Sequence, residues 1–216
     1  MSLQPAFDQL LTQIENELQQ IVRAPHHSLG TYYGMMRYHL GWTYEDLQPV
    51  QANSGKRLRP MLCLLSCEAT RGDLEQALPA AAALELVHNF SLVHDDIQDG
   101  SKTRRGRRTV WDIWGQAHGI NVGDGLFVLA RQALHRLGDR NVPPHRQQAA
   151  TLALEKACLA PSEGQYFDMT VEDHKDVDLD QSLWMIRHKT AALLAASAQL
   201  GANIATGDEV QIDHYY

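Results

Sequence analysis

The chain has 216 residues, of which 44% are hydrophobic, and a formal net charge of −7 at pH 7. This length and composition suffice for one sizeable core, so we expect one domain over residues 1–216. The negative charge argues against general affinity for nucleic acid. The most apolar stretch, residues 191–205, is too short and too polar to be a transmembrane segment.

Apolar residues recur at helical spacing along almost the whole chain. An amphipathic helix is predicted behind Pro5, from the spacing of Phe7, Leu10, Leu11, Ile14, Leu18 and Ile21. Further helices are predicted over residues 28–39, 60–71, 75–99, 125–137, 144–169 and 181–204, with Gly72 ending the third helix and a glycine-rich break at residues 119–125. No convincing strand alternation or repeat is visible. The pattern predicts an all-α, single-domain helical bundle.

The three cysteines indicate a reducing compartment. Cys63 and Cys67 have helical spacing among leucines, Cys158 stands alone, and neither a CxxC pair nor a signal peptide is present. We therefore interpret all three as reduced core residues of a cytoplasmic protein.

The long fourth helix is predicted to end in carboxylates. Asp95 and Asp99 share one helix face with His88, whereas Asp96 lies about 100° away. Two carboxylates roughly 6 Å apart repel by about 3 kcal/mol at an effective dielectric constant near 20, so a cation is the natural remedy. Oxygen ligands without a nearby cysteine favour Mg²⁺.

A solvated helix face is the alternative interpretation of these acids. It explains them poorly, because the neighbouring residues are apolar and charge without partners is costly in a buried helix. These apolar neighbours are Phe90, Leu92, Val93 and Ile97.

Basic residues occur in two clusters. Residues 55–60, GKRLRP, stand at the start of a predicted helix, where backbone N–H groups, Lys56 and Arg59 together form a plausible anion cradle. The alternative is a loop with three solvated cations. Residues 104–108, RRGRR, follow the acidic helix directly. An RNA-binding patch there stays open as an alternative, although no aromatic residues are interleaved.

Four motifs in order carry a resemblance: GKRLRP, ELVHNFSLVHDDIQDGSKTRRGRRT, EGQYFD and RHKTAAL, within residues 55–190. Together they resemble the trans-isoprenyl diphosphate synthases, or polyprenyl synthetases, which include farnesyl and geranylgeranyl diphosphate synthases. The resemblance implies an all-α fold around a central cavity and a homodimer. It also implies a Mg²⁺-dependent condensation of isopentenyl diphosphate with an allylic diphosphate.

The resemblance also implies roles for individual residues. Those that match the Mg²⁺ and allylic diphosphate site are Asp95, Asp96, Asp99 and Arg104. Those that match the isopentenyl diphosphate pocket are Lys56, Arg59, His88 and Arg105. Lys189 and Thr190 match a pair near the allylic leaving group, and Gln165 with Asp168 matches the GQxxD element.

By the same resemblance, bulk beneath the first aspartate limits the length of the product. Phe90 and Ser91 stand five and four residues before Asp95. A pocket blocked by Phe90 implies products of fifteen to twenty carbons, whereas ordinary core packing is the equally weighted alternative for Phe90.

The family's second aspartate-rich motif, FQxxDDxxD, does not occur between Lys189 and Tyr216. Asp208, Glu209 and Asp213 do not reproduce its spacing. We therefore expect the chain to be a truncated portion of a longer synthase, with impaired activity alone; a naturally short relative is the other explanation. Two other functions stay open, namely a non-catalytic diphosphate-binding or regulatory subunit and a class I terpene cyclase.

Overall fold

The computed structural model describes residues 4–171 and 178–215. Within these residues the chain forms ten α-helices and one short β-hairpin, which confirms the predicted all-α class. The helices are α1 (Gln4–Ile21), α2 (Gly30–His39), α3 (Leu58–Ala69), α4 (Leu74–Gln98), α5 (Val110–Trp114), α6 (Gln116–His135), α7 (Pro144–Val171), α8 (Leu179–Ile186), α9 (Ala192–Ala205) and α10 (Glu209–Asp213). The hairpin consists of β1 (Thr103–Arg104) and β2 (Arg107–Arg108), which the sequence pattern did not predict.

The chain divides into two compact units. The first comprises Met1–Leu58 and Glu85–Ala133, and the second comprises Arg59–Leu84 and Leu134–Tyr216. A single domain over residues 1–216 therefore stays a prediction.

In the first unit, α1 buries the apolar face that its sequence predicts. Leu10, Ile14 and Leu18 are buried, whereas Phe7 at the start of the helix is exposed. Full burial of one leucine or isoleucine side chain contributes roughly 1.5–3 kcal/mol, so packing of this face outweighs the intrinsic helix propensity of α1.

The glycine-rich break predicted at residues 119–125 is wrong, because α6 runs through it without interruption. Its glycines accommodate close neighbours from the same unit instead of ending the helix. A Cβ atom at Gly123 would lie 2.2 Å from Nε2 of His94, and one at Gly125 would lie 2.1 Å from the hydroxyl of Tyr32. Packing in the first unit thus outweighs the low helix propensity of glycine.

In the second unit, α9 lies unusually close to α3. Leu64 and Leu200 are fully buried, and a Cβ atom at Gly201 would lie only 2.0 Å from the carbonyl oxygen of Cys63. The sequence predicted one helix over residues 181–204. The structure places a π-helical turn, Arg187–Ala191, between α8 and α9. Such turns often occur at functional sites.

Two expectations about the chemistry of the chain can be compared with this fold. Across the described ranges, no helix combines the length and apolar character that crossing a bilayer requires.

The three cysteines form no disulfide within the described residues. Cys63 and Cys67 are buried, as predicted, whereas Cys158 is half-buried. Burial raises the pKa of the Cys67 thiol to about 11, which keeps it protonated and unreactive near neutrality.

Candidate functional site

The three aspartates at the end of α4 have different surroundings. Asp96 is 1% exposed, Asp95 is half-buried and Asp99 is exposed. The backbone N–H of Asp99 donates to the carbonyl of Asp95, which continues the helical hydrogen bonding to the last acid. Asp95 and Asp99 thus lie one helical turn apart, as their spacing predicts.

Asp96 belongs to an ion pair with the hairpin that follows α4. Nε of Arg104 donates to Oδ1 of Asp96 at 2.7 Å, whereas Oδ2 of Asp96 is buried with no hydrogen-bond partner among the described residues. Burial raises the pKa of Asp96 to about 6, against the lowering effect of Arg104; the charges of Asp95 and Asp99 raise it further. A buried carboxylate oxygen without a donor is costly, so this atom marks a place for a cation, a water or a proton.

The arginine-rich segment folds into the hairpin. Arg105 and Gly106 both have positive φ, 53° and 76°, as a two-residue type I′ turn requires. The guanidinium of Arg107 donates to the carbonyls of Tyr38 and Thr43, and Arg108 pairs with Asp112 at 2.7 Å. Arg107 therefore links the hairpin to residues of the first unit and Arg108 has a local acidic partner, which weakens the RNA-patch alternative.

The loop before α3 presents its basic residues unequally. Lys56 is exposed, Arg59 in the first turn of α3 is half-buried, and Arg57 between them is only 3% exposed. The alternative of three solvated cations is therefore wrong for Arg57. Its guanidinium is bound by Glu15 at 2.6 Å and by Glu85 at 2.7 Å.

A small polar pocket of about 20 Å³ brings part of the predicted site together in the first unit. Its lining includes Asp96, Arg104 and Arg105 from the predicted set, and His39, which sequence reasoning missed. Nε2 of His39 is buried, and no hydrogen-bond partner for it lies in the part of the chain that the structure describes. Burial, followed by the charges of Arg105 and Arg104, lowers the pKa of His39 to about 3. His39 lies far from Arg104 and Arg105 in the sequence, so no local pattern marks it as part of this pocket.

This low pKa predicts a pH-dependent stability. An unfolded histidine protonates near 6.5, whereas folded His39 stays neutral to about pH 3, so its contribution is present above pH 6.5 and is lost as the pH falls through this window. Between pH 7 and pH 5 the chain should lose about 2 kcal/mol more unfolding free energy than the His39→Gln variant. Urea unfolding at both pH values measures this difference, and equal losses in the two proteins would contradict it.

The residues proposed to limit product length lie among aromatic neighbours. The ring of Phe90 is 4.9 Å from that of Phe127 and 5.7 Å from that of His94, measured between centroids. Ser91 is half-buried, and its hydroxyl donates to the carbonyl of His88 at 2.9 Å. Phe90 thus packs within the first unit, and its role in product length stays a prediction.

In the second unit, α7 and the π-helical turn bring together another predicted set. Nζ of Lys189 donates to Oδ2 of Asp168 at 2.5 Å. Gly164 permits this approach, since a Cβ atom there would lie 2.6 Å from the backbone nitrogen of Lys189. Gln165 is 8% exposed, and its Oε1 has no hydrogen-bond partner within residues 4–171 and 178–215, whereas Thr190 is exposed.

The carboxylates of α4 fit Mg²⁺ through the chemistry of their donor set. Within residues 4–171 and 178–215, no three His, Cys, Asp or Glu side chains converge closely enough to hold a metal alone. Mg²⁺ typically uses one or two carboxylates and completes its shell with water and substrate phosphates. Asp95 and Asp99, one helical turn apart, supply carboxylates of this kind, whereas Asp96 beside them pairs with Arg104.

Several proteins are similar in sequence to this chain. The sequence profile of the family described as polyprenyl synthetase matches residues 41–216. The (2E,6E)-farnesyl diphosphate synthase of Mycobacterium tuberculosis is 43% identical over 171 residues, which are 79% of this chain and 46% of that protein. The geranylgeranyl diphosphate synthase of the same organism is 41% identical over 178 residues, 82% of this chain and 50% of that protein. The chain spans about half the length of these relatives.

Solved structures show the same fold. The polyprenyl synthetase from Streptomyces coelicolor A3(2) superposes with a TM-score of 0.88 at 36% identity, over 99% of this chain and 61% of that one. The geranylgeranyl pyrophosphate synthetase from Pyrococcus horikoshii Ot3 gives a TM-score of 0.86 at 33% identity, over 100% of this chain and 62% of that one. The profile match, the relatives and the structural agreement confirm the resemblance carried by the four motifs, and the chain belongs to the polyprenyl synthetase family.

Proposed function

We propose that the protein to which this chain belongs is a prenyltransferase. It condenses isopentenyl diphosphate with an allylic diphosphate to form short-to-medium trans-polyprenyl diphosphates. The observation that carries the proposal is the polar pocket of the first unit, which Arg104, Arg105 and Asp96 line together. Cationic side chains beside a carboxylate suit a phosphate oxygen and its counter-ion, and a pocket of about 20 Å³ has room for these atoms rather than for a whole diphosphate.

Mg²⁺ is the proposed cofactor, held by Asp95 and Asp99 with Asp96 beside them. When bound, it neutralises charge that develops on a departing diphosphate. Asp96 contributes a second effect that needs no metal, because its ion pair with Arg104 fixes that guanidinium at the end of α4.

The remaining basic residues are proposed to bind and orient the substrates. Arg104 binds the allylic diphosphate, and Lys189 with Thr190 binds a diphosphate oxygen in the second unit. The residues proposed for isopentenyl diphosphate are Lys56, Arg59, His88 and Arg105. Gln165 is proposed to bind the substrate through its side-chain NH2 group, which can donate to a diphosphate oxygen.

The proposed reaction requires charge stabilisation rather than a protein nucleophile. The allylic carbon–oxygen bond breaks, and diphosphate leaves with the bonding electrons. The double bond of isopentenyl diphosphate then attacks the allylic cation, and loss of one proton restores a double bond. Preorganised guanidinium and ammonium groups favour the first step, and exclusion of water protects the cation.

Three finer statements belong to the same proposal. Phe90 and Ser91 limit the product to fifteen to twenty carbons, supported by the position of Phe90 one to two turns before Asp95. The working protein is a homodimer. Its location is the cytoplasm, supported by the buried thiols of Cys63 and Cys67.

Incubation with Mg²⁺, radiolabelled isopentenyl diphosphate and geranyl diphosphate tests the function. A protein extended to the length of its relatives should elongate geranyl diphosphate, whereas the 216-residue chain alone should elongate it poorly or not at all. Efficient elongation by the chain alone would refute the expectation that it lacks half of its catalytic metal site. Cyclised products would identify a terpene cyclase, and diphosphate binding without any product from either protein would identify a non-catalytic subunit.

A further inference from the structure

Arg57 is the most completely bound cation in the loop before α3. Its Nε donates to Glu15 at 2.6 Å, its Nη1 donates to Glu85 at 2.7 Å, and its Nη2 donates to the carbonyl of Leu40 at 3.3 Å. The side chains of Arg57 and Glu85 are 2% and 3% exposed. A buried charge surrounded in this way has one position, because any movement would leave an uncompensated charge.

Both carboxylates that hold Arg57 are themselves fixed. Nε1 of Trp42 donates to Oε2 of Glu15 at 2.8 Å, so each oxygen of this carboxylate has its own partner. Nδ2 of Asn89 donates to Oε1 of Glu85 at 2.8 Å, on the next turn of α4. The clamp formed by Glu15, Arg57 and Glu85 therefore joins α1 and α4 through side chains with defined positions.

The clamp holds a strained backbone. Arg57 has φ 48° and Gly55 has φ 88°, so two left-handed residues flank Lys56. A left-handed conformation is readily adopted by glycine but costs roughly 1 kcal/mol for a residue such as arginine. The bonds of the Arg57 side chain stabilise this conformation, and as a result Lys56 extends into solvent from a fixed loop.

The same loop supports Arg105. Nη1 of Arg105 donates to the carbonyl of Ser54 at 2.9 Å, and a Cβ atom at Gly55 would lie 2.9 Å from Nη2 of Arg105. Burial lowers the pKa of Arg105, whereas the nearby charge of Glu85 raises it and so favours the charged form. Displacement of the loop would therefore move the guanidinium of Arg105 as well as the ammonium of Lys56.

We propose that Glu15, Arg57 and Glu85 are positioning residues, which act through the loop at residues 53–57 to hold Lys56 and Arg105 for the diphosphate of isopentenyl diphosphate. This inference rests on the proposed function, since it deepens the assignment of Lys56 and Arg105 to that substrate. None of the three clamp residues needs to touch the substrate. They fix the positions of Lys56 and Arg105 before the substrate binds, so that little conformational entropy is lost on binding.

The test compares Glu15→Gln, Glu85→Gln and Arg57→Lys with the unaltered chain. Calorimetric titration should show isopentenyl diphosphate binding about 10-fold more weakly to each variant, as is usual when a supporting residue is removed. Affinity for geranyl diphosphate in the presence of Mg²⁺ should stay within about 2-fold of the unaltered value. Arg57→Lys keeps the charge but places all its donors on one nitrogen, which cannot reproduce the planar fork that reaches Glu15, Glu85 and the Leu40 carbonyl, so it separates geometry from charge.

Glu75→Gln is the matched control, because it removes an ion pair of the same length, 2.7 Å to Arg140, from the second unit. Glu15→Gln is the variant most certain to fold, since its side chain is 27% exposed and an amide oxygen still accepts from Trp42. Hydrogen exchange of the amides at residues 53–58 gives a second readout, which should rise in the clamp variants and stay unchanged in Glu75→Gln.

Each outcome has a distinct meaning. Unchanged exchange in the clamp variants, or isopentenyl diphosphate affinity in Arg57→Lys equal to that of the unaltered chain, overturns the positioning role. Equal losses of affinity for both substrates also overturn it, because they indicate general loss of structure. If exchange rises but the unaltered chain binds no isopentenyl diphosphate, the proposed substrate site itself is wrong and the inference falls with it.

Discussion

Replacement of Asp95 or Asp99 by alanine should weaken the Mg²⁺-dependent binding of geranyl diphosphate by about 100-fold or more. Both carboxylates are proposed ligands of the ion at the end of α4. Removal of a residue that only supports a metal ligand costs about 10- to 100-fold in metal affinity, so removal of a ligand itself should cost at least the upper value. Calorimetric titration of the chain with geranyl diphosphate, with and without Mg²⁺, measures the effect. Binding without Mg²⁺ should change little, because the metal links these carboxylates to the substrate.

Gln98→Ala is the matched control for this experiment. Gln98 lies on the same helical turn as Asp95 and Asp99, is exposed, and carries no charge. Its replacement should leave Mg²⁺-dependent affinity unchanged. If the two aspartate variants bind geranyl diphosphate as the unaltered chain does, the acids of α4 have no role in metal binding and the central assignment is wrong.

Replacement of Gly201 by alanine should lower the free energy of unfolding by about 3 kcal/mol, near the upper end of the range for overpacked sites. An added Cβ would lie 2.0 Å from the carbonyl oxygen of Cys63 and 2.9 Å from the backbone nitrogen of Cys67. Both neighbours are backbone atoms of α3, which cannot rotate away as a side chain can. Alanine gains up to about 1 kcal/mol over glycine in helix propensity, so the steric cost must exceed that gain.

Gly30→Ala provides the contrast, because nothing lies within 4 Å of a Cβ atom at Gly30. This residue begins α2 with φ −54°, which alanine readily adopts. Its replacement should leave stability unchanged or raise it by about 0.4–1 kcal/mol. Urea unfolding of both variants measures the two values, and a Gly201→Ala variant as stable as the unaltered chain would show that α3 and α9 can separate without cost.

The helices could be predicted from the sequence because their apolar spacing reflects burial directly. Leu10, Ile14 and Leu18 illustrate this relation in α1. The continuation of α6 through Gly123 and Gly125 could not be predicted, since the reason lies in His94 and Tyr32, which are remote in sequence. From sequence alone, a glycine within a helical pattern indicates a helix end, because the residue that packs against it in the fold is not known.

The sequence predicted which residues belong to the candidate site, but not which of them bind each other. The motifs identified Asp96 and Arg104 as functional residues, but only the fold shows that they bind each other. Within GKRLRP the sequence cannot distinguish exposed Lys56 from buried Arg57, because both are basic and adjacent. The distinction arises from Glu15 and Glu85, which lie 42 and 28 residues away from Arg57.

The left-handed arginines have a consequence for protein engineering. Arg57 and Arg105 both occupy backbone conformations that asparagine or glycine adopts with less strain. A library selected for thermostability alone would retain Arg57, because its loss leaves Glu15 and Glu85 without their partner at a cost greater than the backbone strain. It would favour replacement of Arg105, and would trade substrate affinity for a higher melting temperature. Directed evolution of a heat-resistant version should keep these two codons constant and seek its gains elsewhere, for example at Gly30.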